Sequence, residues 1–287
     1  MRFGTPLPLV QQMPGSPAWQ TGDDVAALVA VARKADELGY AWLPCSDHVV
    51  VPARAVPSMG ATWYEPATTL AFAAGVTQRI GLLTHVLVLP YHNPIEVAKR
   101  YATLDRLSGG RVILGVGPGH LRGEFRALGA PYEERGAVTD EYIRIIKTLW
   151  TDEEASFDGA YRSFRELHLA PRPVQRPHPP VWAGGNSRRA VRRAVELGDG
   201  WVPFDVTLDD IRDRLDYARG LPAYADRTAP LDVIAPLAVD LSDVDRVREE
   251  IAAYRDAGVT GITVSFRSES LSEHLDQMEE FAREIMP

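Results

Sequence analysis

The sequence predicts a (β/α)8 barrel, an α/β fold carried as one domain over residues 1–287 with insertion segments. Three observations lead there. A helical pattern, a glycine and a short apolar strand follow one another three times, around Leu38-Gly39-Tyr40-Ala41-Trp42, Leu197-Gly198-Asp199-Gly200-Trp201 and Ala257-Gly258-Val259-Thr260-Gly261. Serial units of this kind build parallel sheets. Eight strand candidates begin near residues 3, 41, 80, 111, 181, 200, 232 and 261, and helices separate most of them. Eight such units is the count of the barrel, whose sites lie at the C-terminal strand ends. No break in composition divides the chain. A doubly wound sheet is the alternative the same pattern permits.

The elements follow in order. Phe3 to Val10 reads as the first strand, interrupted by Pro6 and Pro8, and residues 11–20 as a loop. Val25, Leu28, Ala32, Ala35 and Leu38 step by three or four, the mark of a helix with one buried face; Thr21 or Asp23 is its expected N-cap and Gly39 its stop. Tyr40 to Pro44 is a short strand, and residues 49–65 are a long loop. Helix 66–77 leads to strand Ile80 to Leu89, and helix 94–107 to strand 111–117. Helix 136–150 precedes Phe157-Asp158-Gly159, a hairpin turn, and a proline-rich passage. Strands 181–184, 200–203, 231–239 and 261–266 alternate with helices 187–197, 207–219, 243–257 and 270–285.

Composition narrows the function. Hydrophobic residues make up 45% and charged residues 24%, ordinary for a globular protein. A net charge of -8 argues against a nucleic-acid partner. The single Cys45 fits a reducing compartment, and no apolar run suits a signal peptide or a membrane span. A cytoplasmic protein without a membrane partner is expected.

Several side chains stand where the barrel would put chemistry. Asp47 and His48 follow the second strand. His is the side chain whose charge switches most easily near neutral pH, and the aspartate beside it is a candidate to fix its tautomer; a polar turn is the bland reading. His85 interrupts an apolar strand, which a core histidine bonded to backbone also explains. Asn93-Pro94 reads as a helix cap. Gly115-Val116-Gly117-Pro118-Gly119-His120 is a glycine-rich strand end whose bare backbone admits a flat ligand, without the Gly-Lys-Ser/Thr of a phosphate loop. Gly184-Gly185-Asn186-Ser187-Arg188-Arg189 is the best anion site, with free N–H groups at the positive end of a helix. The histidines lack metal-ligand spacing, and no Gly-x-Ser-x-Gly elbow occurs.

These residues together resemble the bacterial luciferase-like superfamily, and most of all its branch using the deazaflavin coenzyme F420. The resemblance spans almost the whole chain. It rests on Ser46-Asp47-His48, the stretch Ile80 to Pro94, Thr103 to Arg111, Gly115-Val116-Gly117, Trp182 to Ser187 and Gly198-Asp199-Gly200-Trp201. It implies an F420-dependent oxidoreductase, with an FMN-dependent monooxygenase as the alternative, acting on a small molecule as a homodimer. It implies Asp47 and His48 beside the ring, His48 as acid/base, and a non-prolyl cis peptide within Thr84-His85-Val86. Gly184, Gly185, Asn186 and Ser187 would hold the phosphate, and Asn93 and Gly117 complete the cofactor set. Relatives that oxidise sugar phosphates or alcohols carry an acidic residue just after the fourth strand's glycines. Here His120 stands there, so His120 becomes the second proton-carrying candidate in place of a carboxylate.

Overall fold

A computed structural model describes residues 1–286. Its strands are β1 (Arg2–Gly4), β2 (Trp42–Cys45), β3 (Gly81–Thr84), β4 (Leu87–Val88), β5 (Val112–Gly117), β6 (Ala155–Asp158), β7 (Ser163–Leu167), β8 (Val181–Gly184), β9 (Gly200–Val202), β10 (Asp232–Val239) and β11 (Gly261–Phe266). The α-helices are α1 (Ala18–Thr21), α2 (Val25–Leu38), α3 (Val56–Met59), α4 (Pro66–Val76), α5 (Pro94–Ser108), α6 (Arg122–Leu128), α7 (Arg135–Thr151), α8 (Arg188–Leu197), α9 (Leu208–Arg219), α10 (Pro222–Ala225), α11 (Val244–Asp256) and α12 (Leu271–Glu284).

Parallel pairing runs β2-β3-β5-β8-β9-β10-β11-β1, with β4 continuing β3 against β5. Backbone bonds from Ala41 to Phe3 and from Thr5 to Trp42 close the ring between β1 and β2. The expected barrel is therefore present, and all its C-terminal strand ends share one rim. Along each strand alternate side chains face inward. Trp42, Leu83, Trp182, Val202 and Ile234 fill the lower barrel as a cluster separate from the main core. The Trp42 indole N–H donates to Thr263 Oγ1 at 2.9 Å. Two residues further along the strands, small or open positions follow: Gly115, Gly184, Pro236 and Ser265. The inside thus narrows to a tryptophan plug below and widens to a mouth above. The main core lies outside the strands, under helices whose apolar faces follow the expected spacing.

Several expectations need correction. The first strand ends at Gly4, because Pro6 and Pro8 withhold N–H groups and Leu9 has φ +69°. Asp24, not Thr21 or Asp23, caps α2 by accepting from Ala26 N, while Gly39 ends it with φ +83° as expected. The strand read as Ile80 to Leu89 is two strands broken at His85–Val86, followed by a 3-10 turn over Leu89–Tyr91. Residues 121–135, for which the sequence suggests no element, contain α6. The hairpin around Phe157-Asp158-Gly159 is present as β6 and β7. No helix among the described residues is long and apolar enough to cross a membrane.

The core holds one histidine that should make stability depend on pH. His274 of α12 is 3% exposed, packed against Trp19 and Phe266, and burial lowers its pKa to about 4. Above pH 6.5 it is neutral folded and unfolded, so the fold bears no cost there. As pH falls from 6.5 towards 4 the unfolded chain takes the proton first, and stability drops by about 3 kcal/mol for this one residue. Urea midpoints measured across that window are expected to fall, and to fall less in His274→Gln. An unchanged slope in that variant would remove the assignment.

Candidate active site

Asp47 and His48 follow β2 at the rim, as expected, but they face different partners. Asp47 is buried; its Oδ2 accepts from Val88 N at 2.9 Å and bonds His92 Nε2 at 2.7 Å. It pins β4 and the following turn to the end of β2. The reading of Asp47 as the group that orients His48 is corrected: neighbours in an extended segment point to opposite sides.

The group that orients His48 is Glu124, which sequence reasoning missed. Glu124 lies in the first turn of α6 and is fully buried. A buried carboxylate must be hydrogen-bonded. Its Oε1 accepts from Val49 N at 2.7 Å and Val50 N at 3.2 Å, and its Oε2 accepts from Tyr91 OH at 3.0 Å and meets His48 Nδ1 at 2.9 Å. Burial alone would raise its pKa, but His48 and the two N–H groups outweigh burial and hold it below the usual carboxylate range. Burial, then the charge of Glu124, drives the Tyr91 phenol upward, so it stays a donor. An ionised acceptor orients the His48 ring: Nδ1 carries a proton towards Glu124, and in the neutral tautomer this leaves Nε2 with the free lone pair.

The His48 ring is wedged between Trp63, 4.5 Å away at 71°, and His120, 6.0 Å away at 88°. His120 stands on the exposed rim, where partial enclosure and then the neighbouring His48 lower its pKa. Trp63 Nε1 is buried with no protein partner. The expected second proton carrier is therefore beside the first. The carboxylate that seemed absent sits four residues beyond His120, at the back of His48.

The His85–Val86 peptide is cis, where the resemblance places it. His85 N donates to Cys45 O at 2.7 Å, and its carbonyl accepts from Ser46 Oγ at 2.9 Å. Thr84 Oγ1 donates to Gly115 O at 2.7 Å and is buried under the strands, so Thr84 holds the bulge and does not face the mouth. His85 is surrounded closely enough that burial lowers its pKa to about 4. It is a neutral side chain at physiological pH.

The glycines have a different use from the one expected. A Cβ on Gly117 would lie 2.7 Å from Val86 Cγ2, and one on Gly184 would lie 2.8 Å from Val86 Cγ1. The bare backbone makes room for the Val86 side chain rather than directly for a ligand. Val86 is half-buried over them and forms a flat apolar rest in the mouth. His48, with no protein partner on Nε2, follows the neighbouring strand β2, so an apolar surface and a basic edge share this side of the rim.

The anion turn is formed but its side chains are engaged. Gly185 adopts φ +120°, and Ser187 caps α8 by accepting from Ala190 N at 3.3 Å. Asn186 clamps Phe204, donating to its carbonyl at 2.6 Å and accepting from its N–H at 3.1 Å. Arg188 pairs with Asp213 and lies over Tyr217. What remains for an anion is the first-turn backbone N–H groups of α8 and the exposed Arg189 side chain, which pairs with no carboxylate among the described residues. Asn93 is exposed and caps α5 by accepting from Ile95 N at 3.0 Å. Cys45 is buried, which pushes its thiol up to about 12 and makes it a packing residue.

Comparison with known proteins accords with this geometry. A family model described as luciferase-like monooxygenase matches residues 1–286. An uncharacterized protein of Mycobacterium tuberculosis is 31% identical over 280 residues, which are 92% of this chain and 96% of that one. An FMNH2-dependent dimethylsulfone monooxygenase of Pseudomonas putida is 32% identical over 181 residues, covering 62% of this chain and 50% of that one. The solved structure of an F420-dependent secondary alcohol dehydrogenase in complex with an F420–acetone adduct superposes with a TM-score of 0.78 at 15% identity, covering 99% and 98% of the two chains. That likeness concerns the fold. By the match along its length, this chain belongs to the luciferase-like monooxygenase family.

Proposed function

We propose that this protein is an F420-dependent oxidoreductase that moves a hydride between the deazaflavin and a small organic molecule. The carrying observation is the His48–Glu124 pair, an imidazole held through Nδ1 by a buried carboxylate, with no protein partner on its Nε2. The deazaflavin, when bound, supplies a carbon that exchanges hydride. Val86 and the His85 backbone would support the ring, and the first turn of α8 behind Gly184 and Gly185 would hold the phosphate. In the oxidising direction His48 Nε2 takes the proton of the substrate hydroxyl as its carbon loses hydride. Glu124 stabilises the imidazolium so formed. In the reducing direction His48 returns the proton to the carbonyl oxygen. His120, next to His48, is placed to exchange that proton with water.

The second reading is an FMN-dependent monooxygenase, favoured by the identity to the dimethylsulfone enzyme. Equilibrium titration with each cofactor, followed by fluorescence, separates the two. Saturable F420 binding, tighter than FMN binding, is expected; preferential FMN binding would replace the first reading with the second. The same reading takes the protein as cytoplasmic and as a homodimer, and exposed Val49, Val50 and Phe72 support the second of these.

A further inference from the structure

The barrel mouth has a half that none of the residues above occupies. His48, the bulge and the anion turn come from strand ends β2, β3, β5 and β8. The strand order puts β10 and β11 across the ring from β3 and β5. Over their ends lies a cavity of about 390 Å³, roofed by the segment after β1. Ala238 faces inward at its floor and is exposed; Ser265 faces inward beside it and is half-buried. The roof is tied down, because Trp19 Nε1 donates to Ser268 O at 3.0 Å and Leu9 N to Gln20 O at 3.2 Å.

Three side-chain donors around this cavity have no protein partner, while the Ser268 hydroxyl is held by His274 Nδ1 at 3.2 Å. Arg267 is exposed at the cavity's edge; its guanidinium pairs with no carboxylate among the described residues, and only its carbonyl is engaged, by Gln277. The Ser265 hydroxyl and the Gln20 amide also have no protein partner there. Pro17 and Ala238 add apolar wall, while the Phe266 ring turns into the outer core against His274 and Phe281. Glu269 lies on the rim two residues beyond Arg267, with its N–H held by Glu273.

We infer that this cavity is the substrate subsite and that it selects small organic monoanions, a carboxylate or sulfonate on a short apolar body. A guanidinium offers five donors in a fork that matches such a head. The Ser265 hydroxyl and Gln20 amide extend the donor set, and the apolar wall takes the body. Glu269 keeps the rim close to neutral, which disfavours a dianion. The assignment rests on the proposed function only in taking the opposite half of the mouth for the cofactor.

The test is isothermal titration of hexanoate, hexane-1-sulfonate and 1-hexanol into the full-length protein and its Arg267→Ala variant, with F420 and FMN titrated into both. Wild type is expected to bind the two anions roughly tenfold tighter than the alcohol. Arg267→Ala should lose that preference while keeping its cofactor affinity. Equal binding of alcohol and anions, or a preference that survives in Arg267→Ala, would overturn the subsite. Loss of cofactor affinity in the variant would also overturn it, by assigning Arg267 to a cofactor's anionic tail. Failure of the anions with normal cofactor binding sinks this inference alone; wild type that binds neither cofactor sinks the proposed function instead.

Discussion

Replacing His48 by alanine is expected to lower turnover by about 10²–10⁴-fold while leaving cofactor affinity close to wild type. The expectation follows from position and protonation together. Nδ1 is committed to Glu124 at 2.9 Å, so the free lone pair on Nε2 is the one basic atom that side chain offers the mouth. His48 is a rim residue on an irregular segment, and its loss leaves the strands and their core intact. Hydride transfer from an alcohol cannot proceed far without a home for the hydroxyl proton. Steady-state kinetics and a cofactor titration on the same preparation check this. Near-normal turnover would shift the proton step to His120, whose His120→Ala variant would then show the larger loss.

Glu124→Gln should cost a comparable factor, about 10²–10⁴ in turnover, for a different reason. The carboxylate accepts two backbone N–H groups, a phenol O–H and the imidazole. An amide of the same shape has one acceptor oxygen. If that oxygen stays on Val49 and Val50, the amide NH2 faces His48 and forces the other tautomer, with the proton on Nε2. The base is then lost with the ring still in place. Removing buried acceptors should also lower unfolding free energy by about 2–4 kcal/mol. A purely structural role for Glu124 would lower stability and leave the pH profile of the remaining activity unmoved. A positioning role moves that profile, because the imidazolium loses its counter-charge.

The barrel was legible because its strands and helices carry different periods. Strands 181–184 and 261–266 coincide with β8 and β11, since Gly, Pro and polar turn residues bracket short apolar runs. The break in the third strand was invisible to periodicity, because Ile80 to Leu89 is apolar almost throughout. It was found by resemblance alone. The anion turn was legible as a strand, two glycines and a capped helix, but the clamp that Asn186 makes on Phe204 crosses to another loop and leaves no local trace. Asp47 misled by adjacency: its partner His92 is 45 residues away in the chain.

Glu124 was the largest omission. It lies 76 residues from His48, on a seven-residue helix containing Gly123, which weakens any helical pattern. A signal was nevertheless present. Leu121, Phe125 and Leu128 are spaced by four and three, and Gly129 with φ +65° ends the turn. An acidic residue in the first turn of such a helix, just past a strand-end glycine loop, points back towards that loop's rim. Reading His120 as the replacement for a missing acid looked too early in the chain by four residues.

In the proposed complex a deazaflavin ring lies on Val86 with its edge at His48. A crystal structure of the F420 complex tests it most directly. The expected result is the ring plane over Val86, His48 Nε2 within roughly 3–4 Å of the reacting edge or of a substrate oxygen above it, and the phosphate on the first turn of α8. A ring bound away from Val86, or His48 turned from it with Nδ1 no longer on Glu124, would rule out His48 as the proton carrier at the ring.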